Sequence, residues 1–212
     1  MHAKALFQTG TVVAGLLNIA SAAQPTSLPG AVGFVKVTVP VGFSLIANPL
    51  DAEDNSIAAL FPNVPDGVTI YKFGGSPPEY SVNTYENGWA QPGQLLKPGE
   101  GAFFLNPGPD PLVITFYGEV PQGLLSNAVP EGFSLKSSMA PVAGPLDTAL
   151  SFPLEDGDTV YRFRRAPNPS GYSVHTFECG AWNTMPYIEV GEAFFVKKVT
   201  PTVWVKTFSL SQ

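Results

Sequence analysis

A run of residues that is written twice constrains this chain more than anything else in it. Val39-Pro40-Val41-Gly42-Phe43-Ser44-Leu45 returns ninety residues later as Val129-Pro130-Glu131-Gly132-Phe133-Ser134-Leu135. Asp66-Gly67-Val68-Thr69-Ile70-Tyr71-Lys72-Phe73 returns at the same spacing as Asp156-Gly157-Asp158-Thr159-Val160-Tyr161-Arg162-Phe163. Tyr80-Ser81-Val82-Asn83-Thr84-Tyr85 answers to Tyr172-Ser173-Val174-His175-Thr176-Phe177, with two residues added in the preceding loop, and Trp89 to Trp182. Gly99-Glu100-Gly101-Ala102-Phe103-Phe104 pairs with Gly191-Glu192-Ala193-Phe194-Phe195, which reads as the loss of one glycine. Blocks in one order at a nearly constant offset are the mark of internal duplication. They predict two tandem homologous modules, 36–120 and 121–212, that meet near Glu119-Val120-Pro121-Gln122-Gly123.

Within each copy the same succession of elements is expected. A first strand over Phe43 to Ala47 leads to a helical turn around Asp54 to Phe61, which Pro62 stops; Pro145 to Pro153 is the counterpart. Asp66-Gly67 and Asp156-Gly157 are turn signals that launch the next strand. There Thr69, Tyr71 and Phe73 share one face and Val68, Ile70 and Lys72 the other. The aromatic face is expected on the core side and the Lys72 or Arg162 tip on the solvated side. Strands over Tyr80 to Tyr85, Ala102 to Leu105 and Leu112 to Tyr117 follow, with counterparts over Tyr172 to Phe177, Ala193 to Val196 and Thr202 to Phe208. The expected fold class is all-β, each module a small five-stranded antiparallel barrel or sandwich with one short helical turn. The composition agrees: 22 Pro and 21 Gly interrupt long helices, while 15 Phe, 7 Tyr and 3 Trp supply a core.

The N-terminus reads as an export signal. Met1-His2-Ala3-Lys4 is weakly basic, Thr11 to Ala20 is apolar, and Ser21-Ala22-Ala23 supplies small residues before Gln24-Pro25. A signal peptide over 1–23, cleaved near Ala23, is therefore expected, followed by a linker over 24–35; the apolar run is shorter than the ~20 residues a bilayer needs. The protein is then secreted, to the periplasm or the medium. Cys179 is the single cysteine, so no intramolecular disulfide can form; a small buried apolar role or a bond between chains are the two readings. A net charge of −6 argues against nucleic acid as a partner.

The residues needed for chemistry are scarce. Past the signal only His175 can serve as an imidazole base, and it replaces Asn83 within an alternating strand, as a solvent-facing polar residue would. In an extended strand Cys179 lies roughly 13 Å from it at ~3.3 Å per residue, too far for a dyad. Asp51, Glu53, Asp54 and Asn55 match no calcium-loop spacing, and zinc-ligand spacings are absent. Glu100 and Glu192 occupy equivalent edges of separate modules and not one cleft. The expectation is no catalytic residue, no metal and no cofactor. Aromatic residues are the exception: Tyr80, Tyr85 and Trp89, with Tyr172, Phe177 and Trp182, can stack on sugar rings. Alternatively, Trp89 and Trp182 cap the module cores.

Gly42-Phe43-Ser44-Leu45-Ile46-Ala47-Asn48-Pro49-Leu50-Asp51, the strand Ile70-Tyr71-Lys72-Phe73 and Leu96-Lys97-Pro98-Gly99-Glu100-Gly101-Ala102-Phe103-Phe104 form an ordered set. The set resembles a loosely defined class of bacterial secreted and surface β-module repeats of unassigned function, and covers each module nearly end to end. The resemblance implies export and a β-module, and transfers no catalytic residue. Copy two departs from it at Lys136-Ser137-Ser138-Met139 and at Val190-Gly191-Glu192. Together these features lead to a non-catalytic structural or interaction protein of the cell exterior, whose partner is itself or another envelope or matrix protein. The alternative is a module that binds polysaccharide through exposed Tyr and Trp, and a distant third is a hydrolase with an unfamiliar carboxylate site.

Overall fold

A computed structural model describes residues 30–164 and 171–210. The expected signal peptide, 1–23, lies outside the described residues, as does the first half of the expected linker, 24–29. The protein is all-β and its sheets are antiparallel. The first half contains β1 (Val32–Val39), β2 (Gly42–Ile46), the helical turn α1 (Ile57–Leu60), β3 (Thr69–Gly74), β4 (Glu79–Thr84), β5 (Ala102–Asn106) and β6 (Leu112–Glu119). The second half contains β7 (Gly123–Val129), β8 (Gly132–Ser137), the two-residue β9 (Gly144–Pro145), β10 (Thr159–Arg164) and β11 (Gly171–Glu178). It ends with β12 (Ala181–Trp182), β13 (Tyr187–Ile188), β14 (Ala193–Lys198) and β15 (Thr202–Phe208).

Strand order is β2-β5-β3-β4 in the first half and β8-β14-β10-β11-β12 in the second. In each half a two-stranded ribbon, β1–β6 or β7–β15, supplies a second layer. Among the described residues no sheet closes into a barrel, because each keeps open edges. β1 is not among the expected strands: it starts at Val32, inside the stretch expected as linker, and β7 likewise precedes the expected first strand of its half. β1 is apolar on alternate residues, and Val35, Val39 and Val129 turn inward.

The helical turn is present once. The Ser56 hydroxyl accepts the Ala59 amide at 3.3 Å and caps Ile57–Leu60, with Ile57 and Leu60 buried. Its counterpart is a tight turn, in which the Ala149 and Leu150 amides both reach the Pro145 carbonyl while β9 pairs with β13. The stretch expected to open the second module, altered from Lys136 on, still forms a regular strand up to Ser137.

Two cores follow from this layering. Ribbon residues Val35, Ile114 and Phe116 pack on Ile46, Ile70 and Phe104, closed at one end by Phe61 and Trp89. In the second half Val129 and Trp204 pack on Val160, Phe194 and Val196. The core side of β3 is therefore the Val68–Ile70 side, which overturns the expectation for its aromatic face. Lys72 shares the core side only because its stem runs to the sheet edge, where the ammonium meets the Leu95 carbonyl and Glu100. The register also corrects the sequence pairing near Gly99. Leu45 lies opposite Phe103 and Leu135 opposite Phe195, so Gly101 corresponds to Ala193 and no glycine is missing. Ala102 and Phe104 are matched by Phe194 and Val196, a large-for-small exchange that keeps each core filled.

The halves touch through contacts that come in reciprocal pairs, as across a two-fold axis. The Ala47 amide donates to the Gly191 carbonyl at 2.9 Å, and the Ser137 amide to the Gly99 carbonyl at 3.1 Å. Ile46 bridges to Glu192, and Lys136 to Glu100. Between them lies a third apolar cluster of Leu45, Ala47, Leu135, Ala193 and Phe195. A Cβ at Gly101 would stand 2.5 Å from Ala193 Cβ and 2.9 Å from Leu135 Cγ. Gly101→Ala is accordingly expected to destabilise the protein by about 1–3 kcal/mol, the usual range for overpacking. Adding Ala193→Gly should recover most of that loss, with both variants followed by urea unfolding.

Candidate functional site: a shared aromatic face

The outer face of each sheet carries rows of rings. Opposite residues of an antiparallel pair share a face. In the first half that face holds Phe43 and Leu45, then Phe103 and Leu105, then Thr69, Tyr71 and Phe73, then Tyr80, Val82 and Thr84. The second half presents Phe133, Leu135, Phe195, Lys197, Thr159, Tyr161, Phe163, Tyr172, Val174 and Thr176 in the same arrangement. Lys197 is the single cation in these rows, its ammonium 6.0 Å from the centre of the Phe133 ring, and Glu178 ends the β11 row at the sheet's rim.

The two faces merge. Phe73 packs against Phe195 at 5.3 Å and Phe163 against Phe103 at 5.7 Å, each crossing from one half to the other. Tyr80 and Tyr172 rest on Phe103 and Phe195 respectively. Ten rings thus form one connected surface. Its centre is buried between the halves, but Phe43, Tyr80, Val82, Phe133, Tyr172 and Val174 remain 41% to 49% exposed. Desolvation pushes the Tyr80 and Tyr172 hydroxyls above their ordinary pKa, and Tyr80 raises Tyr172 further. Neighbouring rings are inclined by 41° to 89°, some tilted and some edge against face.

The six aromatic residues singled out in the sequence divide. Tyr80 and Tyr172 lie together on this surface. Trp89 is buried in the first core, where its indole donates to the Phe61 carbonyl at 3.0 Å, and Tyr85 packs on it at 5.4 Å. Phe177 and Trp182 repeat that pair at 5.5 Å against the second core. The buried Trp182 indole nitrogen has no partner among the described residues. Trp89 and Trp182 thus pack on the two cores, and the six rings do not come together on one surface. Phe43, Phe103, Phe133 and Phe195, which complete the face, are not among the sequence candidates. Their signal is present in the sequence: strands whose two faces are both apolar must be covered twice.

The remaining candidates are engaged in structure. His175 is buried, correcting its expected solvent-facing place. The Thr184 carbonyl, 2.7 Å away, can only accept, so Nδ1 carries a proton, and Nε2 meets the Ser173 hydroxyl at 3.0 Å. Asn83 does the same work in the first half, holding Gln91 and Gln94. Cys179 is exposed in a turn at φ 52°, so the buried reading is set aside.

The two glutamates close equivalent tight turns. Glu100 accepts the Lys97 amide and pairs with Lys72 at 2.7 Å; Glu192 accepts the Glu189 amide and holds Arg162 by two 2.8 Å bonds. Asp51 and Asp54 are bonded to Asn55 and to the Ser56 amide along one rim of an open depression of about 680 Å³ facing Leu124 and Ser126. No group of three or more His, Cys, Asp or Glu side chains converges as a metal site among the described residues, and no described helix is long and apolar enough to cross a membrane.

Three lysines of the second half are drawn inward. Lys136 donates to the Ala128 carbonyl and to Asn127, Lys206 to the Ala149 carbonyl, and Lys198 to Asp158. Burial holds the Lys136 and Lys206 ammoniums below their ordinary 10.5, with Glu100 opposing the shift at Lys136. The unfolded chain therefore keeps these protons to higher pH than the folded one, so their penalty is full near neutrality and relaxes as pH rises. In urea, stability should increase from pH 7 toward pH 9, below the tyrosine range. Lys136→Met/Lys206→Met should flatten that dependence.

No protein-family model, curated protein or solved structure matches the chain.

Proposed function

We propose that this protein is a non-catalytic interaction protein of the cell exterior, built from two diverged copies of a β-module, that works through its shared aromatic face. The observation that carries this reading is the near-absence of charge on that face in a chain of net charge −6. Exposed apolar patches that extend over several strands mark interaction sites. The matched registers Tyr71↔Val82 and Tyr161↔Val174, and Leu45↔Phe103 and Leu135↔Phe195, support the duplication. The signal-like N-terminus and the resemblance to exported β-modules support the location. A polysaccharide is disfavoured, because sugar stacking needs ring faces laid open and these rings lean on one another, tilted or edge to face.

The reading is tested by sedimenting the exported protein with cell envelopes and matrix from its own culture. Retention of the wild type, and at least a tenfold loss in Phe43→Ser/Phe133→Ser with an unchanged circular dichroism spectrum, is expected. Equal retention of both proteins would reject a role for the face.

A further inference from the structure

We infer that the occupant of the aromatic face is a second copy of this chain, packed face to face; the inference rests on the reading above. The same surface already packs on its counterpart within the chain. Phe73 on Phe195 and Phe163 on Phe103 show that each half's rings fit the other's. The exposed residues continue that contact along the same strands: Val82 follows Tyr80 on β4, and Val174 follows Tyr172 on β11.

Size agrees. Four rings and two valines exposed by 41% to 49% offer about 500 Å², at roughly 150–250 Å² per aromatic side chain. With the half-buried rings beside them this approaches the ~800 Å² per partner of a standard interface. Electrostatics agree as well. The rows carry one cation, Lys197, which lies against Phe133, so two acidic chains meet without opposing like charges in the contact. Rings inclined to one another also leave an uneven relief, which interdigitates with another such relief better than with a flat polymer.

The test is sedimentation equilibrium of the full-length mature chain from 1 to about 200 μM, a range that spans typical weak dimers, on the wild type and on Val82→Lys/Val174→Lys. Both valines are about half exposed, so the fold should tolerate the change; circular dichroism and the urea midpoint check this. A concentration-dependent dimer in the wild type, weakened at least 100-fold in the variant, is expected. A wild type that stays monomeric throughout overturns the inference, and so does a dimer that the variant leaves intact. Should the double lysine variant unfold, Tyr80→Ser/Tyr172→Ser takes its place: a weakened dimer supports the inference and an intact one overturns it. A monomer that still shows face-dependent envelope retention leaves the interaction reading standing and removes only the second copy. Retention on insoluble cellulose or chitin by a monomer would assign the face to a glycan and overturn the inference.

Discussion

Trp204→Ala is expected to lower the unfolding free energy by about 3–5 kcal/mol, the range for removing a buried large aromatic side chain. Trp204 is fully buried at the centre of the second core, 4.9 Å from the Phe152 ring and 6.3 Å from Phe194. Its indole donates to the Leu150 carbonyl at 2.9 Å, which with the Lys206 bond to the Ala149 carbonyl ties the Pro145–Leu150 turn to β15. Alanine removes the ring, leaves a cavity and frees a buried carbonyl. A domain of ordinary stability has only about 5–15 kcal/mol in total, so the urea midpoint should fall steeply. Trp204→Phe keeps most of the volume and loses the hydrogen bond, and should fall between wild type and alanine. A loss under about 1 kcal/mol for the alanine variant, well below the cavity range, would show that the second core does not depend on this strand.

Lys198→Ala is the other large effect, also about 3–5 kcal/mol, because removing one partner of a buried ion pair leaves the other uncompensated. Asp158 is fully buried; its carboxylate receives Lys198 and the Glu155 and Val199 amides. Without the ammonium it must ionise in an apolar surrounding or take up a proton. The first half shows a neutral solution for the same places. Val68 stands where Asp158 does, and Asn106, bonded to the Val39 and Asp110 carbonyls, stands where Lys198 does. Asp158→Val/Lys198→Asn should therefore be much more stable than Lys198→Ala alone. Equal stability of the two variants would contradict this account of the pair.

Much of the strand pattern is legible because the repeated blocks sit on strands β2, β3, β4 and β5 and on their counterparts. The alternation in Val68-Thr69-Ile70-Tyr71 also separates the faces correctly; what it cannot say is which face meets which layer. Ile70 and Tyr71 both suit a packed face, and only the ribbon β1–β6, whose β1 is hidden in the sequence, decides that Ile70 faces the core. β1 is hidden because it begins in the stretch read as linker and because its partner lies some eighty residues away. The same limit explains the divided aromatic set. Trp89 and Tyr80 are both aromatic residues on or beside β4, and separating core cap from open face requires knowing where Phe61 and Phe103 lie. His175 misleads for a local reason: a polar residue in an alternating strand suggests solvent, whereas here it anchors the loop at Thr184.

The pairing of each half's opening strand with its closing strand sets the order in which the chain can mature on the ribosome. β1 cannot be covered until β6 has been made, so the first core closes only after Glu119 emerges. Its aromatic face must then wait for β14, which brings Gly191 and Phe195 against it. At translation rates of about 5–20 residues per second that interval lasts on the order of 4–16 seconds. For that time a finished half-molecule presents uncovered rings to its surroundings. Ribosome-bound chains stalled between the two halves should accordingly be the species that holdase chaperones retain, and chains released after β15 should not.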